Sequence, residues 1–235
     1  MENISKRIEK YWDTRSEDFS RVRMLEIAGE DFLAWNEIIK KHLPADKNLK
    51  VLDVGTGAGV FAVLFSKLGH SVTAVDMSQK MLNEAQKNLA ALNCHADFIK
   101  MNAQELNFGA ETFDVVISRN LTWTLPDTMQ AYKEWYRVLK RGGVLMNFDS
   151  DYGDKNFTNE NTCAKGEVEF EMLVECNEIK NSLRISTHTR PQWDIELLKS
   201  LGCTVSFDAD ISDFVHRDKK LEYDAVPLFG IYALK

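Results

Sequence analysis

Leu49-Lys50-Val51-Leu52-Asp53-Val54-Gly55-Thr56-Gly57-Ala58-Gly59 is the stretch on which the reading of this chain turns. Val51, Leu52 and Val54 make a buried strand, three alternating glycines follow, and a helix over 58–68 opens at once. At such a turn glycine admits positive φ and lets a ligand approach bare peptide groups with no Cβ in the way. Strand, glycine turn and helix form the first unit of a nucleotide-cofactor domain. Counted from Gly55, the third glycine of the dinucleotide fingerprint G-x-G-x-x-G falls on Val60, so that fingerprint is incomplete. What stands here is D-x-G-x-G-x-G, headed by Asp53.

A second apolar strand, 71–76, ends in Asp76, 21 residues beyond Gly55. A carboxylate at that tip can accept hydrogen bonds from both hydroxyls of a ribose. Ser78, two residues on, is placed to cap the next helix.

Outward from this unit, strands and helices alternate: helix 78–92, strands 96–101 and 113–118, helix 128–140 and strand 143–148. Pro126-Asp127 with Gln130 starts the helix at 128–140, and Gly142-Gly143 stops it. Alternation of this kind predicts an α/β fold, a doubly wound parallel sheet with helices on both faces. Upstream, residues 4–42 read as helical, with Leu25, Ala28, Phe32, Trp35 and Ile39 as one apolar stripe. Downstream, 150–190 is polar; within it Val168, Met172, Cys176 and Ile179 predict a short amphipathic helix, with Glu167, Glu171, Glu175 and Glu178 turned to solvent. Helix 191–201 and strands 203–208 and 228–234 complete the pattern, for seven strands in all. The chain divides into a helical cap (1–45), a cofactor-binding core (46–149), an insertion (150–190) and the rest of the sheet (191–235), all one domain.

In an open parallel sheet, ligands bind outside the carboxyl ends of the strands. The candidates are therefore Gly55, Thr56 and Gly57; Asp76 and Met77; Asn102, Ala103 and Gln104; Arg119, Asn120, Leu121 and Thr122; and Asp149, Asp151 and Tyr152.

The D-x-G-x-G-x-G turn with Asp53, and Asp76 at its interval, resemble motif I and the second strand tip of the class I S-adenosylmethionine-dependent methyltransferases of the small-molecule type. The resemblance implies a Rossmann-like seven-stranded sheet whose last strand is antiparallel, an N-terminal helical lid, and an insertion after strand 5 that builds a substrate lid. It implies S-adenosylmethionine as cofactor, leaving as S-adenosylhomocysteine. Met77 would lie against the adenine face, Asn102 and Ala103 at its edge, and Arg119-Asn120-Leu121 along the methionine end. Many relatives carry Asp where this chain has Asn102; an amide oxygen can still accept from the exocyclic amine. Tyr11-Trp12-Asp13-Thr14-Arg15 is similar to a lid segment from which Tyr11 and Arg15 would reach the cofactor carboxylate. Arg190-Pro191-Gln192-Trp193-Asp194 also looks family-like, with a structural task.

Methyl transfer from a sulfonium is an in-line displacement, so alignment and water exclusion matter most. A base is needed only if the acceptor must lose a proton. Asp149 or Asp151 is the candidate base or orienting group, with Trp123 and Tyr152 as acceptor contacts. The polar, aromatic-poor insertion suggests a small polar acceptor. A nicotinamide-dependent oxidoreductase and a non-catalytic cofactor-binding protein are the alternatives; the former shares Asp76 and the glycine turn.

A net charge of −7 argues against a nucleic-acid partner. No apolar run approaches membrane-spanning length, and a cytoplasmic monomer or homodimer is expected. Cys94, Cys163, Cys176 and Cys203 show no metal-ligand spacing, so no metal site is expected; only convergence of three thiols in the fold would let them hold a soft metalloid.

Overall fold

The structure, a computed structural model, describes residues 3–45, 48–158, 170–223 and 225–235. Its strands are β1 (Lys50–Val54), β2 (Ser71–Asp76), β3 (Asp97–Lys100), β4 (Phe113–Arg119), β5 (Leu139–Ser150), β6 (Thr204–Asp208) and β7 (Leu228–Leu234). Its helices are α1 (Ile4–Ala28), α2 (Glu30–Lys40), α3 (Val60–Lys67), α4 (Gln79–Ala91), α5 (Thr128–Val138), α6 (Phe170–Ser182), α7 (Gln192–Ser200) and the short α8 (Ser212–Val215). The seven strands form one sheet in the order β3-β2-β1-β4-β5-β7-β6. Strands β1 to β5 pair in parallel, whereas β7 runs antiparallel to both β5 and β6. The order reverses between β1 and β4, which puts the ligand crevice at their carboxyl ends.

Side chains alternate across the pleat and so feed two cores. Val51, Val115, Ile117, Met146 and Phe148 pack against α2 and α3, where Trp35 sits edge-on to Phe61 and Phe148 at 5.2 and 4.9 Å. Leu52, Val54, Val116 and Leu145 face the other way, against Tyr132 and Trp135 of α5 and Ile195 and Leu198 of α7. A third cluster joins Ile8 and Tyr11 of α1 to Trp123, Tyr152, Phe157 and the buried side of α6.

Several local expectations are corrected. The helical stretch 4–42 is two helices, because Gly29 takes an extended conformation (φ −103°, ψ −172°) that resets the helical phase. Leu25 therefore points to solvent, 53 % exposed, while Trp35 and Ile39 are buried. The chain passes directly from α5 into β5 at Leu139, with Gly142 at φ 75° beside a register shift between β4 and β5. In α6 the buried positions are Leu173, Cys176, Ile179 and Lys180, with Met172 only partly covered. Glu175 and Glu178 do not simply face water: Arg7 of α1 donates to both, at 2.7 and 2.8 Å. Glu167, Val168 and Cys163 lie outside the described residues. Cys94, Cys203 and Cys176 fall in three different apolar clusters, so the three described thiols do not converge. Among the described residues, no helix is long and apolar enough to cross a membrane.

Candidate active site

The carboxyl ends of β1, β2, β4 and β5 open into a cavity enclosing about 1130 Å³ of empty space, its mouth included. The glycine turn is one wall. Gly55 and Gly57 lie at φ 66° and 53°, and Gly55 N and Thr56 N donate to Val75 O at 2.8 and 3.0 Å, fastening the turn to β2. A Cβ on Gly55 would come within 2.7 Å of Leu121 Cδ2, and one on Gly57 within 3.2 Å of Phe19 Cε1. Positive φ and close neighbours together exclude larger residues there.

Two carboxylates flank this turn. Asp53 accepts from Thr56 Oγ1 at 2.6 Å; burial pushes its carboxyl up to about 7, against the opposing pull of the Thr56 hydroxyl and the Arg119 guanidinium. Asp76 accepts from Gly57 N and Ser78 N, each at 2.9 Å, one on each oxygen. Burial raises it to about 6, with those amides opposing. Each carboxylate oxygen has a second lone pair, so Asp76 can accept two further hydrogen bonds. Ser78 caps α4, its hydroxyl accepting from Met81 N at 3.1 Å.

Beyond β3, Asn102 Oδ1 accepts from Gln104 N and Nε2 at 3.0 and 3.1 Å, which engages both lone pairs of that oxygen. The acceptor role expected for this oxygen is thus already taken within the turn. Beyond β4, Asn120 holds φ 51°, and its N donates to Phe148 O at 2.8 Å. Its Oδ1 is buried and has no hydrogen-bond partner among the described residues. A left-handed non-glycine residue with an unmet acceptor is a feature that calls for a ligand donor. Arg119 Nη1 and Nη2 both donate to Glu26, and its guanidinium lies 5.1 and 5.2 Å from the Trp35 and Phe61 ring centres. Glu26 also takes Arg23 Nη1 at 2.7 Å. Burial pushes the Glu26 carboxyl up, but Arg119 and Arg23 outweigh it and hold it at about 2.

Helix α1 roofs the cavity with Ser5, Ile8, Trp12, Phe19 and Arg23. Tyr11 and Arg15, expected to reach the cofactor, do not line it. Arg15 Nη1 donates to Tyr11 OH at 3.2 Å, and Tyr11 packs in the third cluster, one face round from Trp12. Polar contacts to α4 and β4 help to seat this helix. Ser78 Oγ donates to Asp13, and Asn88 Nδ2 donates to both Ser20 Oγ and Ala58 O at 2.9 Å. Glu26 takes Arg119.

At the end of β5 the structure separates the three candidates. Tyr152 lines the cavity, its ring 5.0 Å from Trp123 and 4.8 Å from Phe157. Asp149 and Asp151 do not. Asp149, fully buried, accepts from Thr122 Oγ1, Trp123 N (3.1 Å) and Ser150 N (2.8 Å), and lies 3.5 Å from Arg190 Nη1. Burial raises its carboxyl while Arg190 pulls it down. Asp151 accepts from Arg190 N at 3.1 Å. Arg190 also pairs with Asp194 through Nε and Nη2 (2.9 and 2.7 Å) and donates to Thr122 Oγ1 at 2.6 Å, while Tyr132 OH donates to Asp194 at 2.7 Å. Arg190, some forty residues downstream, thus engages Asp149 through its guanidinium and Asp151 through its backbone N–H, and Asp149 joins a brace under the Thr122–Thr124 turn.

The remaining wall is ring-lined, with Trp12, Trp123 and Tyr152 beside Ile8. This departs from the polar acceptor suggested by residues 150–190, because most of the rings arrive from α1 and the turn after β4. Of the other lining residues, Phe19, Arg23, Leu125 and Pro126 escaped the sequence reading; the first two share the α1 face of Trp12 at helical spacing, which was the available signal.

The sequence profile of the family described as "Methyltransferase domain" matches residues 52–147, from within β1 to within β5. Demethylmenaquinone methyltransferase of Listeria monocytogenes is 29 % identical over 154 residues, covering 63 % of this chain and 64 % of that relative's length. A phosphoethanolamine N-methyltransferase of Haemonchus contortus, solved in complex with S-adenosyl-L-methionine, superposes with TM-score 0.60 at 20 % identity, over 85 % of this chain and 51 % of that one. An S-adenosylmethionine-dependent methyltransferase of Thermotoga maritima gives TM-score 0.61 at 20 % identity, over 95 % and 98 %. At these identities the structural likeness is one of fold. Over residues 52–147 the chain thus matches the methyltransferase-domain family, and its sheet order and glycine turn share the fold of the solved S-adenosylmethionine-dependent methyltransferases.

Proposed function

We propose that this protein is an S-adenosylmethionine-dependent methyltransferase acting on a small-molecule acceptor. The observation that carries the reading is Asp76, whose carboxylate accepts from the glycine turn at Gly57 and keeps two lone pairs for ribose hydroxyls. The cofactor fits the residues present. Gly55 and Gly57 leave bare backbone, Met77 and Ala103 offer apolar surface for the adenine, and the unmet Asn120 Oδ1 awaits a donor such as an α-ammonium. When bound, S-adenosylmethionine supplies an electrophilic methyl group on a sulfonium.

The protein's own contribution is alignment and dryness. Helix α1 covers the cavity and keeps water from the reacting centre. Trp123 and Tyr152 present flat faces to the acceptor. Asp149 acts through Thr122 and the Trp123 amide, as a positioning residue that keeps the Trp123 ring where the acceptor docks. The ring-lined wall favours a planar acceptor, in keeping with the quinone named in the Listeria relative. The net charge of −7 supports a small molecule over a nucleic acid, and the reading is of a cytoplasmic enzyme.

Calorimetry with S-adenosylhomocysteine and with NAD tests the assignment. Saturable heat with the first and none with the second is expected; the reverse would overturn it. A metabolite extract supplied with cofactor should then yield a product one methyl heavier, whereas binding without turnover would leave a cofactor-binding protein.

A further inference from the structure

Tyr152 enters the cavity wall from a stretch without regular structure, since residues 151–158 form neither helix nor strand. A loop holds a ring in one place only where its backbone polar groups find fixed partners. Helix α6 supplies them. Asn177 Oδ1 accepts from Phe157 N at 2.8 Å while its Nδ2 donates to Phe157 O at 3.0 Å, so one amide spans both polar groups of one residue. Three residues on, Lys180 Nζ donates to Gly153 O at 2.6 Å. Asn181 Nδ2 adds a longer contact to Asn156 Oδ1, at 3.4 Å.

Lys180 is fully buried. An ammonium is costly to bury, and an apolar side chain would pack this face of α6 without that penalty. What only the lysine delivers is a charge-assisted donor to the carbonyl of the residue next to Tyr152. The rings that follow from this fastening are close. Tyr152 and Phe157 lie 4.8 Å apart, and Trp123 stands 5.0 and 5.3 Å from them. Tyr152 and Trp123 face the cavity, with Phe157 packed beside both. Trp123 is set from the other side, its amide donating to Asp149. Helix α6 has its own apolar seat through Leu173, Cys176 and Ile179, which the two polar residues do not provide.

We propose that Asn177 and Lys180 are positioning residues for the methyl acceptor: from α6 they fix the backbone at Gly153 and Phe157, so that the Tyr152 ring forms a preset flat wall on which a planar acceptor stacks. The proposal rests on the planar-acceptor reading above and adds two residues of α6 that never touch the acceptor.

The test is calorimetry on the full chain, first with S-adenosylhomocysteine and then with 1-naphthol, a planar probe, added to the saturated complex. Asn177→Ala and Lys180→Met should each weaken 1-naphthol about tenfold and leave S-adenosylhomocysteine within about twofold. In a Tyr152→Ala background no ring is left to aim, so either substitution should then weaken 1-naphthol by less than about twofold more. Asn177 is only half-buried, so Asn177→Ala carries the test if Lys180→Met does not fold. Unchanged 1-naphthol affinity, equal loss of both ligands, or losses that persist in full without the Tyr152 ring overturn the proposal. If the unaltered protein takes S-adenosylhomocysteine but not 1-naphthol, the planar-acceptor reading falls and this one with it, while the cofactor assignment stands. Binding of neither compound removes the cofactor assignment as well.

Discussion

Asp76 concentrates most of the site's logic in one side chain. Replacing it with alanine removes the acceptor for Gly57 N and Ser78 N as well as the ribose partner. Asp76→Ala should therefore abolish the thermal stabilisation by S-adenosylhomocysteine, which for an intact site follows RT ln(1 + [L]/Kd); a surviving shift would remove the ribose assignment. Its titration gives a second check. With folded values near 6 and 7, Asp76 and Asp53 hold protons that an unfolded chain, near 3.8, has released. Between those limits the folded state binds more protons, so both residues make the ligand-free protein less stable as pH rises from about 4 to 7. Glu26 works with opposite sign, contributing stability above 4.5 that fades as pH falls towards 2. Ribose hydroxyls are donated to the ionised form of Asp76. Melting scans from pH 5 to 7.5 should show the Asp76 and Asp53 contribution falling, while the ligand-induced shift grows.

At the scale of elements, what could be read from the sequence was what a short segment decides for itself. The glycine turn, the Ser78 cap and the Asp127 cap each satisfy a local backbone need, and all three stand where they were expected. Asp149 shows the limit. Its position at a strand end is a matter of local spacing, but its partner Arg190 is brought in by the fold, through α7. Helix α1 hides its function for another reason: its roofing face mixes Trp12 and Phe19 with Ser5 and Arg23, so it carries no simple apolar stripe. The β5 brace makes a direct prediction. Asp149→Ala strips a carboxylate from a buried cation and should lower stability by on the order of 3 kcal/mol in urea titration. A variant as stable as the parent would restore Asp149 as a free group. The α1–α6 clamp is different in kind. Arg7 and Glu175 are a quarter to a third exposed, so Arg7→Ala should cost under about 1 kcal/mol by the same measurement.

Across the whole molecule, two cores sandwich the sheet and a third cluster closes the ligand end. Trp35 belongs to the first core yet also lies beneath the Arg119 guanidinium, so it links packing to the site. Trp35→Ala should lower stability by roughly 3–5 kcal/mol and also weaken S-adenosylhomocysteine binding; intact affinity in a folded variant would show that Arg119 is held by Glu26 alone. Strand β7 sets a further condition, because it fills the gap between β5 and β6 and runs against both. Among the described residues, β6 has no other neighbour in the sheet. During synthesis, then, residues 204–208 emerge as a lone ribbon, and the inner edge of β5 stays unpaired until residues 228–234 clear the ribosome. The nascent chain therefore carries an open, sticky border from the emergence of residues 139–150 until residues 228–234 follow to seal it.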